Sequence, residues 1–131
     1  MPPSVSCACQ FSPQESFFFN WYPGDTGSIS VVVLGGDGLP WPLVDLSLRF
    51  VVAASDLPGA AILWDLGPAD ESTLVIDADA GLVLLNPGLV RSQALTPGRT
   101  YPARASLINS EGATITLRPG WLETYPGVPA V

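Results

Sequence analysis

The chain has 131 residues, of which 47% are hydrophobic and 13% charged, with a formal net charge of -7 at pH 7. That length holds one domain, and the apolar fraction gives it a core to bury, which excludes a chain disordered by composition. The charge, together with the absence of His and Lys, argues against nucleic-acid binding, His-based proton transfer and Schiff-base chemistry.

Punctuation is the next signal. With 13 Gly and 14 Pro the chain is too interrupted for long helices and suits short strands joined by tight turns. The N-terminus, Met1-Pro2-Pro3-Ser4-Val5, has neither the basic nor the apolar region of a secretory signal. No apolar run approaches the ~18 residues that span a bilayer. Cys7 and Cys9 stand as C-x-C, too close for an unstrained intrachain bond, and without His they make a poor metal pair. They are expected to be reduced thiols, the alternatives being an intermolecular contact or a metal shared within an oligomer.

Residues 1–20 form an unusual head ending in Phe17-Phe18-Phe19-Asn20 before Trp21. In a strand, alternate side chains face opposite sides, so Phe18 should face away from Phe17 and Phe19. The segment is then either a first strand at the edge of a sandwich or an extended arm that docks on a partner. The expected interface residues are Phe17, Phe18, Phe19 and Trp21, with Trp41 from the Pro-pinned loop Leu39-Pro40-Trp41-Pro42-Leu43.

Gly24-Asp25-Thr26 reads as a turn into the β-branched run Ser28–Leu34, which Gly35-Gly36-Asp37-Gly38 ends. From Asp45 to Ala54 the sequence alternates, with Leu46, Leu48, Phe50 and Val52 on one face and Ser47 and Arg49 on the other. Short strands follow at Ala61–Trp64, Thr73–Asp77 and Gly81–Leu85. Leu89–Leu95 has the only helical look in the chain, stopped by Thr96-Pro97-Gly98. Tyr101–Asn109, Ala113–Arg118 and Trp121–Thr124 complete the set, with Thr114, Thr116 and Arg118 on the wet face.

About eight short strands at this spacing predict an all-β fold, an antiparallel β-sandwich of Ig-like or jelly-roll-like type with an extended N-terminal arm. The expected division is an arm at 1–20, the sandwich at 21–125 and a tail at 126–131.

The chemistry-bearing candidates reduce to turn chemistry. Asp77 and Asp79, with Asp70 and Glu71 nearby, lack the ligand spacing of a calcium loop and any sign that they face one another across a cleft. Gly35-Gly36-Asp37-Gly38 is followed by neither a Lys nor a helix, and G-x-S-x-G does not occur. No catalytic, cofactor-binding or metal residue is therefore assigned, and no cofactor is expected. Trp21, Trp41, Trp64 and Trp121, with Tyr22, Tyr101 and Tyr125, could fill the core, line an interface or stack on sugar rings. A carbohydrate-binding chain should gather two or three of them on one exposed face.

The order of these turns carries a resemblance. Trp21-Tyr22-Pro23-Gly24-Asp25-Thr26 opens a strand, and Gly36-Asp37-Gly38-Leu39-Pro40 precedes Leu43-Val44-Asp45-Leu46. Ala80-Gly81-Leu82-Val83, Leu95-Thr96-Pro97-Gly98-Arg99-Thr100-Tyr101, Asn109-Ser110-Glu111-Gly112 and Thr116-Leu117-Arg118-Pro119-Gly120-Trp121 follow. In order and spacing this resembles a family of small tailed-phage virion proteins, and is similar to the N-terminal domains of phage upper baseplate proteins, which hold receptor-binding devices. The match runs over about residues 21–125. It departs at Ser47-Leu48, where the family usually has Thr-Gly, and at Pro102-Ala103-Arg104 after Tyr101, where it often reads Tyr-Asp.

The resemblance implies a non-enzymatic virion structural protein, made in the host cytoplasm, that docks on tail or baseplate and anchors a fibre. The alternatives are a capsid cement protein clamping major capsid subunits and a carbohydrate-binding module. Expected partners are other virion proteins and further copies of the chain, as a trimer or hexamer, with no nucleic acid and no membrane. If the arm mediates assembly, removing residues 1–20 should abolish it.

Overall fold

The computed structural model describes residues 5–12, 16–24 and 27–125, with side chains described from Phe11 onward. Asp25 and Thr26 of the expected turn, the Cys7 and Cys9 side chains and the tail at 126–131 lie outside the described residues.

Among the described residues ten strands form two facing sheets. The first has the order β1-β3-β7-β6, from Val5–Phe11, Ile29–Val33, Leu82–Leu85 and Thr73–Asp77. The second runs β2-β10-β8-β4-β5, from Phe18–Trp21, Gly120–Thr124, Thr100–Asn109, Leu46–Ala53 and Ile62–Leu66. Strand β9 (Thr114–Thr116) also pairs with β8, making this sheet six-stranded. One short helix, α1 (Gly88–Gln93), and a 3-10 turn (Pro68–Asp70) complete the described elements. The β-sandwich read from the sequence is the fold observed.

Alternation explains why these segments are strands. Leu48, Phe50 and Val52 of β4 point inward, as do Tyr101, Ala103, Ala105 and Leu107 of β8, which lies antiparallel against it. Ile29, Val31 and Val33 of β3 face them from the other sheet, with Val83 and Leu85 of β7. Each large side chain buried this way contributes roughly 1.5–3 kcal/mol.

Three expectations need correction. First, residues 5–11 and 18–20 of the expected arm are strands of the two sheets. β1 forms an edge of the four-stranded sheet and β2 an edge of the six-stranded one. Phe11, Phe17, Phe19 and Phe50 meet between the sheets, with ring centroids 4.7–5.8 Å apart. These aromatic residues fill one end of the core that residues 21–125 would otherwise leave open.

Second, the sheets are mostly but not wholly antiparallel: β1 pairs with β3, and β2 with β10, in parallel. A parallel pair needs a long connection between its members. Here the connection is the opposite sheet itself, because the chain crosses between sheets after β1, and β10 is the last strand. No crossover helix is required.

Third, Ile115, expected to face inward, is exposed, whereas Leu117 is buried. All three residues of β9, which pairs with β8, are exposed, and burial resumes only at Leu117 beyond it.

The helix is fixed by two indole groups. Trp21 and Trp64 pack edge-to-face at 5.4 Å. Trp64 Nε1–H donates to the Arg91 carbonyl at 2.7 Å, and Trp21 Nε1–H donates to Ser92 Oγ at 2.8 Å. A buried indole N–H needs an acceptor, and α1 supplies both.

Candidate docking surface

The outer face of the six-stranded sheet gathers the side chains that alternation turns away from the core. Phe18 on β2 registers with Trp121 on β10, and Trp121 registers with Pro102 on β8. Ala53 on β4 registers with Ile62 on β5, one step beyond the Val52–Ala103 pair that joins β4 to β8. One outward apolar residue from each of the five strands β2, β10, β8, β4 and β5 in turn thus makes a stripe across the sheet. Phe18 is 54% exposed, Trp121 43% and Ile62 55%, so the stripe is open to solvent in this chain.

Charge is unevenly placed around it. Arg49 and Arg104 stand on the outward positions of β4 and β8, and Arg118 is exposed between β9 and β10. Gly120 registers with Ala103, while the Leu117 N–H donates to the Ala105 carbonyl at 3.0 Å. Arg118 and Pro119 therefore both lie opposite Arg104, a bulge that brings two guanidinium groups to one register. The acids on the strands of this face are Asp65 and Glu123. Asp65 is taken by Arg49, which donates from Nε and a terminal nitrogen at 2.9 and 2.8 Å. That fork holds the Asp65 carboxyl below its ordinary value and raises Arg49.

Elsewhere the ionisable groups serve the fold. Asp70 accepts from Arg91 at 2.6 Å and from the Ser72 hydroxyl and backbone N–H at 2.5 and 3.1 Å, bonds that push its carboxyl well below the usual carboxylate range. Asp77 accepts from the Ala80 N–H across its own turn. Among the described residues no group of three or more His, Cys, Asp or Glu side chains is placed to hold a metal.

The expected interface residues divide. Phe17, Phe19 and Trp21 are buried in the chain's own core and present no surface, because β2 is a strand with a buried face rather than a free arm. Phe18 is the outward member of the triplet, as alternation requires. Trp41 is half-buried, packed against the core from its loop, with its N–H donated to the Val33 carbonyl at 2.8 Å. Trp121 was one of the aromatic candidates in the sequence, whereas Pro102, Ala53 and Ile62 were not. Strict alternation would put Ile62 on the inward face with Trp64, and the register shift between β4 and β5 turns it out.

Tyr22 and Tyr125, one residue past the ends of β2 and β10, add a second aromatic pair, stacked face to face with centroids 4.0 Å apart. Each tyrosine therefore has one ring face covered by the other.

The geometry can be compared with solved structures. The N-terminal domain of phage TP901-1 ORF48 matches over 94% of this chain and 99% of that one, with a TM-score of 0.62 and 16% sequence identity. This chain shares its fold with a phage protein domain. The phage likeness read from the order of turns is thus shown in the fold. At that identity the likeness is one of architecture and carries no residue across. No protein-family model matches the chain, and no curated protein matches it.

Proposed function

We propose that this chain is a non-enzymatic structural protein of a bacteriophage virion, docking on tail or baseplate as a homo-oligomer and anchoring a fibre. The observation that carries the reading is the near full-length structural match to the N-terminal domain of phage TP901-1 ORF48. It converges with the sequence resemblance to the N-terminal domains of phage upper baseplate proteins. The exposed apolar stripe supports a docking role, since aromatic anchors at the centre of a patch with a charged rim are the usual composition of an interface.

Fractionation of purified particles into heads and tails, with mass spectrometry of each, tests this. A few copies with the tails, in threes or sixes, support the reading. Hundreds with the heads make the chain a capsid cement protein, and absence from both ends the virion reading.

A carbohydrate-binding role is the second reading, favoured by Trp121 on β10 with Tyr22 and Tyr125 just past the ends of the paired β2 and β10. It predicts that a panel of neutral polysaccharides quenches tryptophan fluorescence in the wild type and not in Trp121→Ala.

A further inference from the structure

The apolar stripe carries a charge pattern that the rest of the chain lacks. Arg104 and Arg118 share a register across the bulge, both are exposed, and neither forms an ion pair among the described residues, whereas Arg49 and Arg91 do. Two guanidinium groups at one register repel each other unless an anion lies within reach, and this chain has a net charge of -7 from which to supply one. Besides Asp65 and Glu123 on this face, four exposed acids stand at the other end of the sandwich. Asp37 and Asp45 lie in the β3–β4 loop and Asp77 and Asp79 at the β6–β7 turn, all exposed. The two segments are joined by the Leu43 N–H, which donates to the Ala78 carbonyl at 2.9 Å. No Arg lies in either segment, and Leu39 and Val44 are exposed beside the acids.

We propose that the outer face of the six-stranded sheet, with Phe18 and Trp121 as apolar anchors and Arg104 and Arg118 as the cationic rim, binds the acidic loop end of a second copy of this chain. The two surfaces cannot meet within one molecule. The acidic loops flank Leu46 at the start of β4, while Ala53 of the stripe ends that strand, roughly 24 Å away at strand rise. The contact is therefore head-to-tail, with different patches on the two copies, and repeats into a ring where the rotation closes. Leu39 and Val44 meet the aromatic anchors, and the carboxylates meet the two arginines. This deepens the homo-oligomer part of the virion reading, and it is tested on the purified chain, whereas the virion location is tested on particles, so either can fail alone.

The experiment is light scattering with size exclusion on the full chain and two charge-reversed variants, each checked for an unchanged thermal melt. Arg104→Glu with Arg118→Glu should dissociate the wild-type oligomer, with affinity weakened roughly tenfold or more. Asp77→Arg with Asp79→Arg should do the same, with Asp79→Arg alone as the milder variant should the turn be disturbed. An equimolar mixture of the two variants should associate again, because each then offers the surface the other lacks. Added salt should weaken the wild type and the mixture alike. A wild type that is monomeric at sub-millimolar concentration, or association that survives the arginine reversal, overturns the proposal. Loss of association that mixing does not restore also overturns it, pointing to an anion from another molecule.

Discussion

Trp21 and Ser92 meet through a 2.8 Å hydrogen bond from the indole N–H to a hydroxyl that is itself fully buried. The bond ties edge strand β2 to α1, the only α-helix among the described residues. Removing the acceptor leaves a buried donor unpaired, which costs about 1–3 kcal/mol. Ser92→Ala should therefore lower the unfolding free energy by that amount, read as a lower urea midpoint with an unchanged slope. An unchanged midpoint would mean that the indole finds another acceptor.

Phe18 and Phe19 are adjacent in sequence and opposite in environment. Phe19 is fully buried against Phe11 and Phe50, with centroids 5.6 and 5.3 Å away, whereas Phe18 is open to solvent. Truncating a buried Phe costs about 3–5 kcal/mol. Truncating an exposed one changes stability by less than about 0.5 kcal/mol. Denaturant unfolding of Phe19→Ala and Phe18→Ala should show that contrast, and equal losses would contradict the placement of β2.

Deleting residues 1–20 should abolish folding, not only assembly. The deletion removes β1, most of β2 and three of the four phenylalanines that meet between the sheets. The truncated chain should lose its cooperative thermal transition and its near-ultraviolet circular dichroism. A well-folded truncated domain would restore the free-arm reading.

Most of the sandwich was legible because its signal is local. From Ile29 to Thr124 strands announce themselves by alternation, as Leu48, Phe50 and Val52 do, or by a β-branched run, as Ile29–Val33 does, and turns by Gly, Pro or Asp. The head was half legible. Alternation placed Phe18 opposite to Phe17 and Phe19, but it could not say what covers the inner pair. The partner of β2 is β10, about a hundred residues later, and no local pattern encodes a parallel pairing of that separation. The docking stripe was invisible for the same reason. Phe18, Trp121, Pro102, Ala53 and Ile62 are scattered through the chain and become neighbours only through sheet order. The Arg104–Arg118 juxtaposition depends on one extra residue in a bulge.

Gly120 should not tolerate a methyl group. A Cβ there would run into the Phe17 carbonyl oxygen and ring, because β10 passes directly over that side chain. Backbone cannot yield cheaply, and overpacking of this kind costs typically about 1–3 kcal/mol. Gly120→Ala should lose about that much in denaturant unfolding. Gly59→Ala places its methyl in open space at a positive φ of 80°, so its loss comes from backbone strain alone. Because the nearest atom is the Phe17 carbonyl oxygen, Phe17→Leu should not restore Gly120→Ala, and an unchanged midpoint for Gly120→Ala would contradict the close approach of β10 to Phe17.

The acid limb of the stability profile should come from the two arginine-held carboxylates. Asp70 is pushed down by its bonds to Arg91 and Ser72, and Asp65 by its bond to Arg49. In both cases the folded chain binds the proton more weakly than the unfolded chain does. The stabilisation is therefore complete above the ordinary carboxylate value of about 3.9 and is lost as pH falls below it towards the lower folded values. Both pairs are solvent-exposed, so the effect is small for each and shrinks with salt. With no His in the chain, stability should be nearly flat between about pH 5 and 8. Urea midpoints for the wild type and Asp70→Asn should differ at pH 7, with the variant less stable, and the gap should narrow below about pH 4. A gap of equal size at pH 7 and pH 3 would mean that the Asp70 charge contributes nothing, and that Ser72 and the turn hold that corner through neutral hydrogen bonds alone.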